Sequence, residues 1–163
     1  MSFAHSIRDA GIALVAFLAK CAERSSVEPP TFMRPLLLTT QATRVLELGT
    51  GCGVVGISFA QLFPRCNIVL SDLPEAMEIL DINIHRATPA SNTKLIRLVL
   101  DWHLELPAAL ETAIFDLVLI SDCTYNSDRF VANFGSFYAL TLYQSIVLPV
   151  FTAIELCATD CLP

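Results

Sequence analysis

The chain has 163 residues, which is the length of one domain with its own hydrophobic core. A net charge of −6 argues against nucleic-acid binding, which requires clustered lysine and arginine. The hydrophobic fraction of 54% is typical of a parallel sheet that is covered on both faces. The six cysteines form no C-x-x-C pair, so we interpret them as small apolar residues of a reducing, cytoplasmic protein and not as a disulfide frame or a zinc site.

Strands and helices are predicted to alternate along the chain. The predicted helices are 7–21, 54–63 and 74–85, with a short helix near 107–111 and a long helix within 127–143. The predicted strands are 44–48, 67–71, 95–100, 116–120 and 145–151. This alternation predicts an α/β fold, a Rossmann-like, doubly wound and mostly parallel sheet, in a single domain over 1–163. Ligands bind such sheets beyond the carboxyl ends of the strands.

The stretch 130–154 contains no charged residue and is long enough to span a bilayer. The polar residues Asn133 and Gln144, together with Pro149, make it a poor membrane span. We favour a buried helix followed by a buried strand, and a membrane span stays open as the alternative.

Residues 45–57 carry the first candidate site. An apolar strand ends in three glycines at alternate positions, Gly49, Gly51 and Gly53, and an apolar helical segment follows. Glycine permits a positive φ and a close approach of a ligand, and the helix N-terminus adds unpaired N–H groups. The order of strand, glycine turn and helix is typical of nucleotide sites in α/β folds.

Two ligand classes fit this turn. Gly51-x-Gly53-x-x-Gly56 satisfies the dinucleotide fingerprint of NAD enzymes, which is a weak signal by itself. The longer pattern, Glu47-x-Gly49-x-Gly51-x-Gly53, is that of S-adenosylmethionine sites in Rossmann-like methyltransferases. We expect an ionised Glu47 to face the positive sulfonium and amino groups of S-adenosylmethionine. A structural turn with Glu47 in a surface ion pair is the alternative that needs no ligand.

Acidic or aromatic residues also follow the second and third predicted strands. Asp72 lies about 20 residues after the turn, the spacing of an acid that binds ribose hydroxyls, although it can also be a helix N-cap. Asp101 offers a carboxylate to the adenine amino group, and Trp102 offers an indole edge to its ring. Trp102 as an ordinary core residue is the alternative.

Asp122 and Tyr125 are the catalytic candidates, because the apolar strand before them needs neither residue for packing. Methyl transfer to an amine requires a neutral nucleophile. Asp122 can orient a lysine amine by a hydrogen bond, and Tyr125 can flank its cationic form. An Asx-type turn with an exposed tyrosine is the alternative. The three histidines have no spacing that suggests a metal site, so we expect none.

At these residues the sequence resembles the seven-β-strand (class I) protein-lysine methyltransferases of methyltransferase-like family sixteen. The matching pieces are 9–11 (DAG), 45–57 (VLELGTGCGVVGI), 71–84 (SDLPEAMEILDINI), 100–102 (LDW) and 116–126 (DLVLISDCTYN). The resemblance implies S-adenosylmethionine as the cofactor and a protein lysine as the substrate. It also places the D-x-x-Y substrate motif of the family on Asp122 and Tyr125.

The resemblance covers roughly 7–128, and the tail 129–163 does not look like the family. Because family members continue through further strands after D-x-x-Y, we expect the C-terminal strands here to be incomplete. The favoured function is therefore an S-adenosylmethionine-dependent protein-lysine methyltransferase. A truncated, non-catalytic fragment that binds S-adenosylmethionine is the first alternative. An NAD-dependent oxidoreductase is the second, and it rests only on Gly51-x-Gly53-x-x-Gly56.

Overall fold

The structure is a computed structural model and describes residues 9–23, 40–101, 104, 107, 110, 113–121 and 146–149. The helices are α1 (Asp9–Ala22), α2 (Val54–Leu62) and α3 (Met77–Arg86), and a 3₁₀ helix, Pro74–Ala76, precedes α3. The strands are β1 (Thr43–Leu48), β2 (Cys66–Asp72), β3 (Lys94–Val99), β4 (Leu117–Ile120) and β5 (Ile146–Pro149). Each end of β1 to β4 lies within one residue of its predicted end. The predicted helix within 127–143 lies outside the described residues, as does most of the one near 107–111.

Among the described residues all the strand pairs are parallel, and the strand order is β3-β2-β1-β4-β5. The chain moves outward from β1 to β3 and then returns to the other side of β1 with β4. This order confirms the doubly wound parallel sheet and puts the switch point between β1 and β4. The carboxyl ends of the strands share one edge, where Leu48 pairs with Ser71 on one side and with Ile120 on the other.

Alternate residues of β1 enter two different cores because successive side chains point to opposite faces of a sheet. Val45 belongs to the larger core, which α1, α2 and α3 also line. Leu46 and Leu48 belong to the smaller core on the other face. Glu47 lies two residues after Val45, so its side chain points to the same face of the sheet, which the helices cover.

Helix α1 packs against α2. The buried side of α1 comprises Gly11, Leu14, Leu18 and Cys21, which recur with helical spacing. A Cβ built on Gly11 would lie 3.6 Å from Val55 Cγ2 and 3.9 Å from Ser121 Oγ. The beginning of α1 is therefore close to the first turn of α2 and to the end of β4.

Strand β5 pairs with β4, and Pro149 stands opposite Ile120 at the last position of that ladder. Of the stretch 130–154, the structure describes 146–149 alone. Within the described part of the chain, no helix combines the length and the apolar character needed to cross a bilayer.

Candidate functional site

The turn between β1 and α2 has the conformation that its glycines predict. Gly49, Gly51 and Gly53 have φ values of 65°, 57° and 87°, which side chains with a Cβ rarely adopt. At Gly53 a Cβ would also lie 2.8 Å from the Cδ1 atoms of Ile57 and Leu80. The sequence Gly49–Gly53, called here the glycine turn, therefore needs its glycines for backbone conformation and, at Gly53, for space.

Hydrogen bonds tie the glycine turn to the end of β2. The Thr50 N–H donates to the Ser71 carbonyl at 3.0 Å, and the Ser71 hydroxyl donates to the Glu47 carbonyl at 2.6 Å. Within the turn, the Gly53 N–H donates to the Thr50 carbonyl at 2.8 Å. Ser71 is fully buried; its hydroxyl anchors β1 just before the turn, and its carbonyl anchors the turn itself.

The Glu47 carboxyl group lies beneath the turn and is 1% exposed. Its Oε2 accepts hydrogen bonds from the Thr50 hydroxyl at 2.6 Å and from the Gly56 N–H at 2.9 Å. Loss of hydration on burial raises the pKa of Glu47 from 4.5 to about 8, and the charge of Asp72 adds to this rise. The two hydrogen bonds act in the opposite direction.

This geometry corrects the expectation of an ionised Glu47 that faces a ligand. A pKa of about 8 favours the protonated carboxyl group at pH 7. The surface ion pair is wrong as well, because the group is buried. Strand alternation turns Glu47 toward α2, so it holds the turn onto the first residues of that helix. Its contact with a cofactor stays a prediction.

Asp72 lies beside the turn, where β2 ends, and is half-buried. Its Oδ2 accepts from the Gly51 N–H at 2.6 Å, and its Oδ1 accepts from the Leu73 N–H at 2.7 Å. The alternative role as a helix N-cap is wrong, because Leu73 occupies that position and no side chain caps the 3₁₀ helix. Ribose binding by Asp72 stays a prediction that this position suits.

Asn83 is a residue to which sequence reasoning assigned no role. Its side-chain Nδ2 donates to the Cys52 carbonyl at 2.8 Å, across 31 positions of the chain. Asn83 lies in α3, within the segment 71–84 that resembles the family. An asparagine in the middle of a helix was the available signal, because its helix propensity is lower than that of most residues.

The predicted adenine-binding pair is described in part. The Leu100 N–H donates to the Asp72 carbonyl at 2.8 Å, which brings Asp101 to the same edge of the sheet as Asp72. Asp101 is half-buried, and its carbonyl accepts from the Leu104 N–H at 3.1 Å. Trp102 lies outside the described residues, and its role stays a prediction.

The two catalytic candidates, Asp122 and Tyr125, also lie outside the described residues. Ser121, which directly precedes them, is described at the end of β4. Among the described residues, no group of three His, Cys, Asp or Glu side chains is arranged to hold a metal ion.

The described part of the site can bind two kinds of chemical group. Helix α2 begins after Gly53, which provides no side-chain cap, so the N-terminus of the helix suits a carboxylate or another anion. The Asp72 carboxylate, at the adjacent strand end, can accept hydrogen bonds from hydroxyl groups. A ligand with an anionic end and a ribose fits this arrangement.

Comparison with known proteins gives one family match that covers most of the chain. The family described as "Lysine methyltransferase" matches residues 1–151.

Curated relatives match over shorter regions. The chain is 32% identical over 106 residues to the zebrafish (Danio rerio) protein N-lysine methyltransferase METTL21A, a match that spans 64% of this chain and 47% of that protein. It is 32% identical over 84 residues to the calmodulin-lysine N-methyltransferase of Arabidopsis thaliana, spanning 50% of this chain and 27% of that protein. The match thus covers about half or less of the length of these relatives.

Among solved structures, the mitomycin 7-O-methyltransferase MmcR aligns with a TM-score of 0.55 at 14% identity. The alignment covers 83% of this chain and 35% of that one. At this level of identity the likeness concerns the fold alone.

Proposed function

Since the chain belongs to the lysine methyltransferase family, we propose that it binds S-adenosylmethionine at the glycine turn and transfers the methyl group to a protein lysine. The observation that carries the proposal is the turn itself. Three glycines with positive φ lie at the switch point of the sheet, and Asp72 is hydrogen-bonded to the middle one. The relatives named as lysine methyltransferases support a lysine as the acceptor.

The described residues fit the parts of S-adenosylmethionine. The carboxylate of its methionine part suits the first residues of α2, where Gly53 provides no side-chain cap and Glu47 engages the Gly56 N–H alone among the described groups. Its ribose hydroxyls suit the Asp72 carboxylate. On binding, Asp72 would either give up its hydrogen bond from the Gly51 N–H in favour of the hydroxyls or accept from the N–H and the hydroxyls together. We assign the adenine to Asp101 and Trp102. When bound, the cofactor supplies a methyl group on a positive sulfur atom.

Asp122 and Tyr125 are proposed to prepare the lysine. A lysine ammonium group of pKa about 10.4 must first release its proton to solvent water, which costs about 4.6 kcal/mol at pH 7. Asp122 would accept a hydrogen bond from the amine and so orient its lone pair, while Tyr125 would flank the amine. Positioning of the two reactants then provides much of the rate.

Isothermal titration calorimetry with S-adenosylmethionine and with NAD, run in parallel, tests the cofactor. We expect S-adenosylmethionine to bind and NAD not to bind. Binding of NAD alone would refute the proposal and favour an oxidoreductase.

Methyl transfer to protein lysine is the second test, with Asp122→Asn as the variant. We expect transfer from radiolabelled cofactor by the wild-type chain, and loss of transfer with cofactor affinity unchanged within a few fold in the variant. A large loss of cofactor affinity would instead move Asp122 into the cofactor site. Binding without any transfer by the wild type would favour the non-catalytic alternative.

We also propose a cytoplasmic location. Cys21, Cys52 and Cys66, the cysteines in the described part of the chain, are free thiols, which suits a reducing compartment. Fractionation of cells that express a tagged chain checks this, and recovery in the secreted fraction would contradict it.

A further inference from the structure

We propose that Asn83 is a positioning residue of the cofactor site, which holds one peptide plane of the glycine turn in its binding orientation. The inference rests on the proposed binding of S-adenosylmethionine. It concerns a residue outside the glycine turn and outside the strand ends, in the middle of α3.

The peptide plane between Cys52 and Gly53 is held at both ends. The Cys52 carbonyl accepts from Asn83 Nδ2 at 2.8 Å, and the Gly53 N–H donates to the Thr50 carbonyl at 2.8 Å. The residues on either side of Cys52 are glycines with positive φ, which lose more conformational freedom on ordering than other residues do. The plane adjoins Gly53 directly, so it can rotate easily unless both of its polar groups are engaged.

The segment 72–83 contacts three consecutive residues of the glycine turn, 51–53. Asp72 accepts from the Gly51 N–H, and Asn83 donates to the Cys52 carbonyl. Leu80 approaches Gly53 so closely that a Cβ there would lie 2.8 Å from Leu80 Cδ1. Leu80 and Asn83 are three positions apart and share a face of α3. The start of α2 is therefore set by the packing of α3 and by one amide hydrogen bond.

The orientation of this plane matters for an anionic ligand. Gly53 precedes α2 and has no side chain with which to cap it. If the plane rotated, the Cys52 carbonyl oxygen would leave Asn83 and could turn toward the ligand, where its partial negative charge repels a carboxylate. The amide of Asn83 keeps that oxygen against α3, so the positive end of α2 stays open to the ligand.

The test is the affinity for S-adenosylmethionine of Asn83→Ala and Asn83→Asp, with Glu78→Ala as the control on the exposed face of α3. Alanine is a better helix former than asparagine. If Asn83 merely occupied a helical position, its replacement by alanine would therefore leave the folded state equally stable or more stable. In Asn83→Ala the lost hydrogen bond to Cys52 offsets that gain, so we expect the ligand-free variant to melt near the wild-type temperature. We expect its Kd to rise about threefold to tenfold, the effect of one lost neutral hydrogen bond. Asn83→Asp should bind more weakly still, because its carboxylate would face the Cys52 carbonyl.

Amide hydrogen exchange of Gly53 in the ligand-free protein provides a readout that does not depend on the cofactor. Loss of the Asn83 amide should make Gly53 exchange faster, while Glu78→Ala should leave it unchanged. Wild-type affinity in Asn83→Ala, unchanged Gly53 exchange, or failure of both Asn83 variants to fold would overturn the proposal. If the wild type itself binds no S-adenosylmethionine, the proposed function fails, and Gly53 exchange alone decides the role of Asn83.

Discussion

Replacement of Gly56 by alanine should destabilise the domain. A Cβ at this position would lie 2.2 Å from Leu70 Cδ2 and 2.4 Å from Glu47 Oε2, whereas ordinary contacts begin at 3.4 Å. Leu70 is fully buried in the larger core, so it has little room to withdraw. Glu47 is held by Thr50 and by the Gly56 N–H itself.

Three contributions set the magnitude of this effect. Overpacking of a close-packed core costs about 1–3 kcal/mol. Displacement of the Glu47 carboxyl group from the Gly56 N–H adds about 1–3 kcal/mol if a buried donor is left without its partner. The higher helix propensity of alanine returns up to about 1 kcal/mol. We therefore expect a net loss of about 1–6 kcal/mol in the free energy of unfolding.

Gly11→Ala is the matched control, because both glycines are buried and helical. A Cβ on Gly11 would make ordinary contacts, the nearest at 3.6 Å from Val55 Cγ2. This variant should gain up to about 1 kcal/mol from helix propensity. Urea unfolding followed by far-UV circular dichroism gives both values on the same scale. Equal stability of Gly56→Ala and Gly11→Ala would refute the reasoning, since the two variants differ mainly in the space beside the Cβ.

Three further predictions concern the turn and its carboxylates. Glu47→Gln should flatten the pH dependence of stability. The pKa of Glu47 in the folded state, about 8, exceeds its ordinary value of 4.5. The contribution of the protonated Glu47 to the free energy of unfolding is therefore complete below about pH 4.5 and is lost as the pH rises through about 8. Melting temperatures between about pH 5 and pH 8.5 check this, and parallel curves for variant and wild type would contradict it. Gly51→Val should abolish S-adenosylmethionine binding, because a β-branched residue does not readily adopt φ of 57°; unchanged affinity in calorimetry would exclude the turn from the site. Asp72→Ala should weaken binding about tenfold or more, the effect of lost hydrogen bonds to a charged group, and a Kd equal to that of the Glu78→Ala control would count against ribose binding there.

Several features of this protein are determined by the sequence alone. The apolar runs of β1, β2 and β4 are local signals, and each ends at a small or polar residue: Gly49 after β1, Asp72 in β2 and Ser121 after β4. The positive φ values of the glycine turn also follow locally, because few other residues adopt them. Asp72 falls beside the turn because parallel strands carry their carboxyl ends to one edge.

Only the tertiary structure decided what the side chains at that edge do. Strand alternation puts Val45 and Glu47 on one face, but nothing local states that α2 covers that face and buries the carboxyl group. In the same way, Gly11 has room for a methyl group and Gly56 has none, although both are helical glycines in apolar surroundings. Asn83 contacts the turn across 31 positions of the chain. Burial, pKa and hydrogen-bond partners depend on which distant elements pack together, and that packing is a property of the whole folded chain.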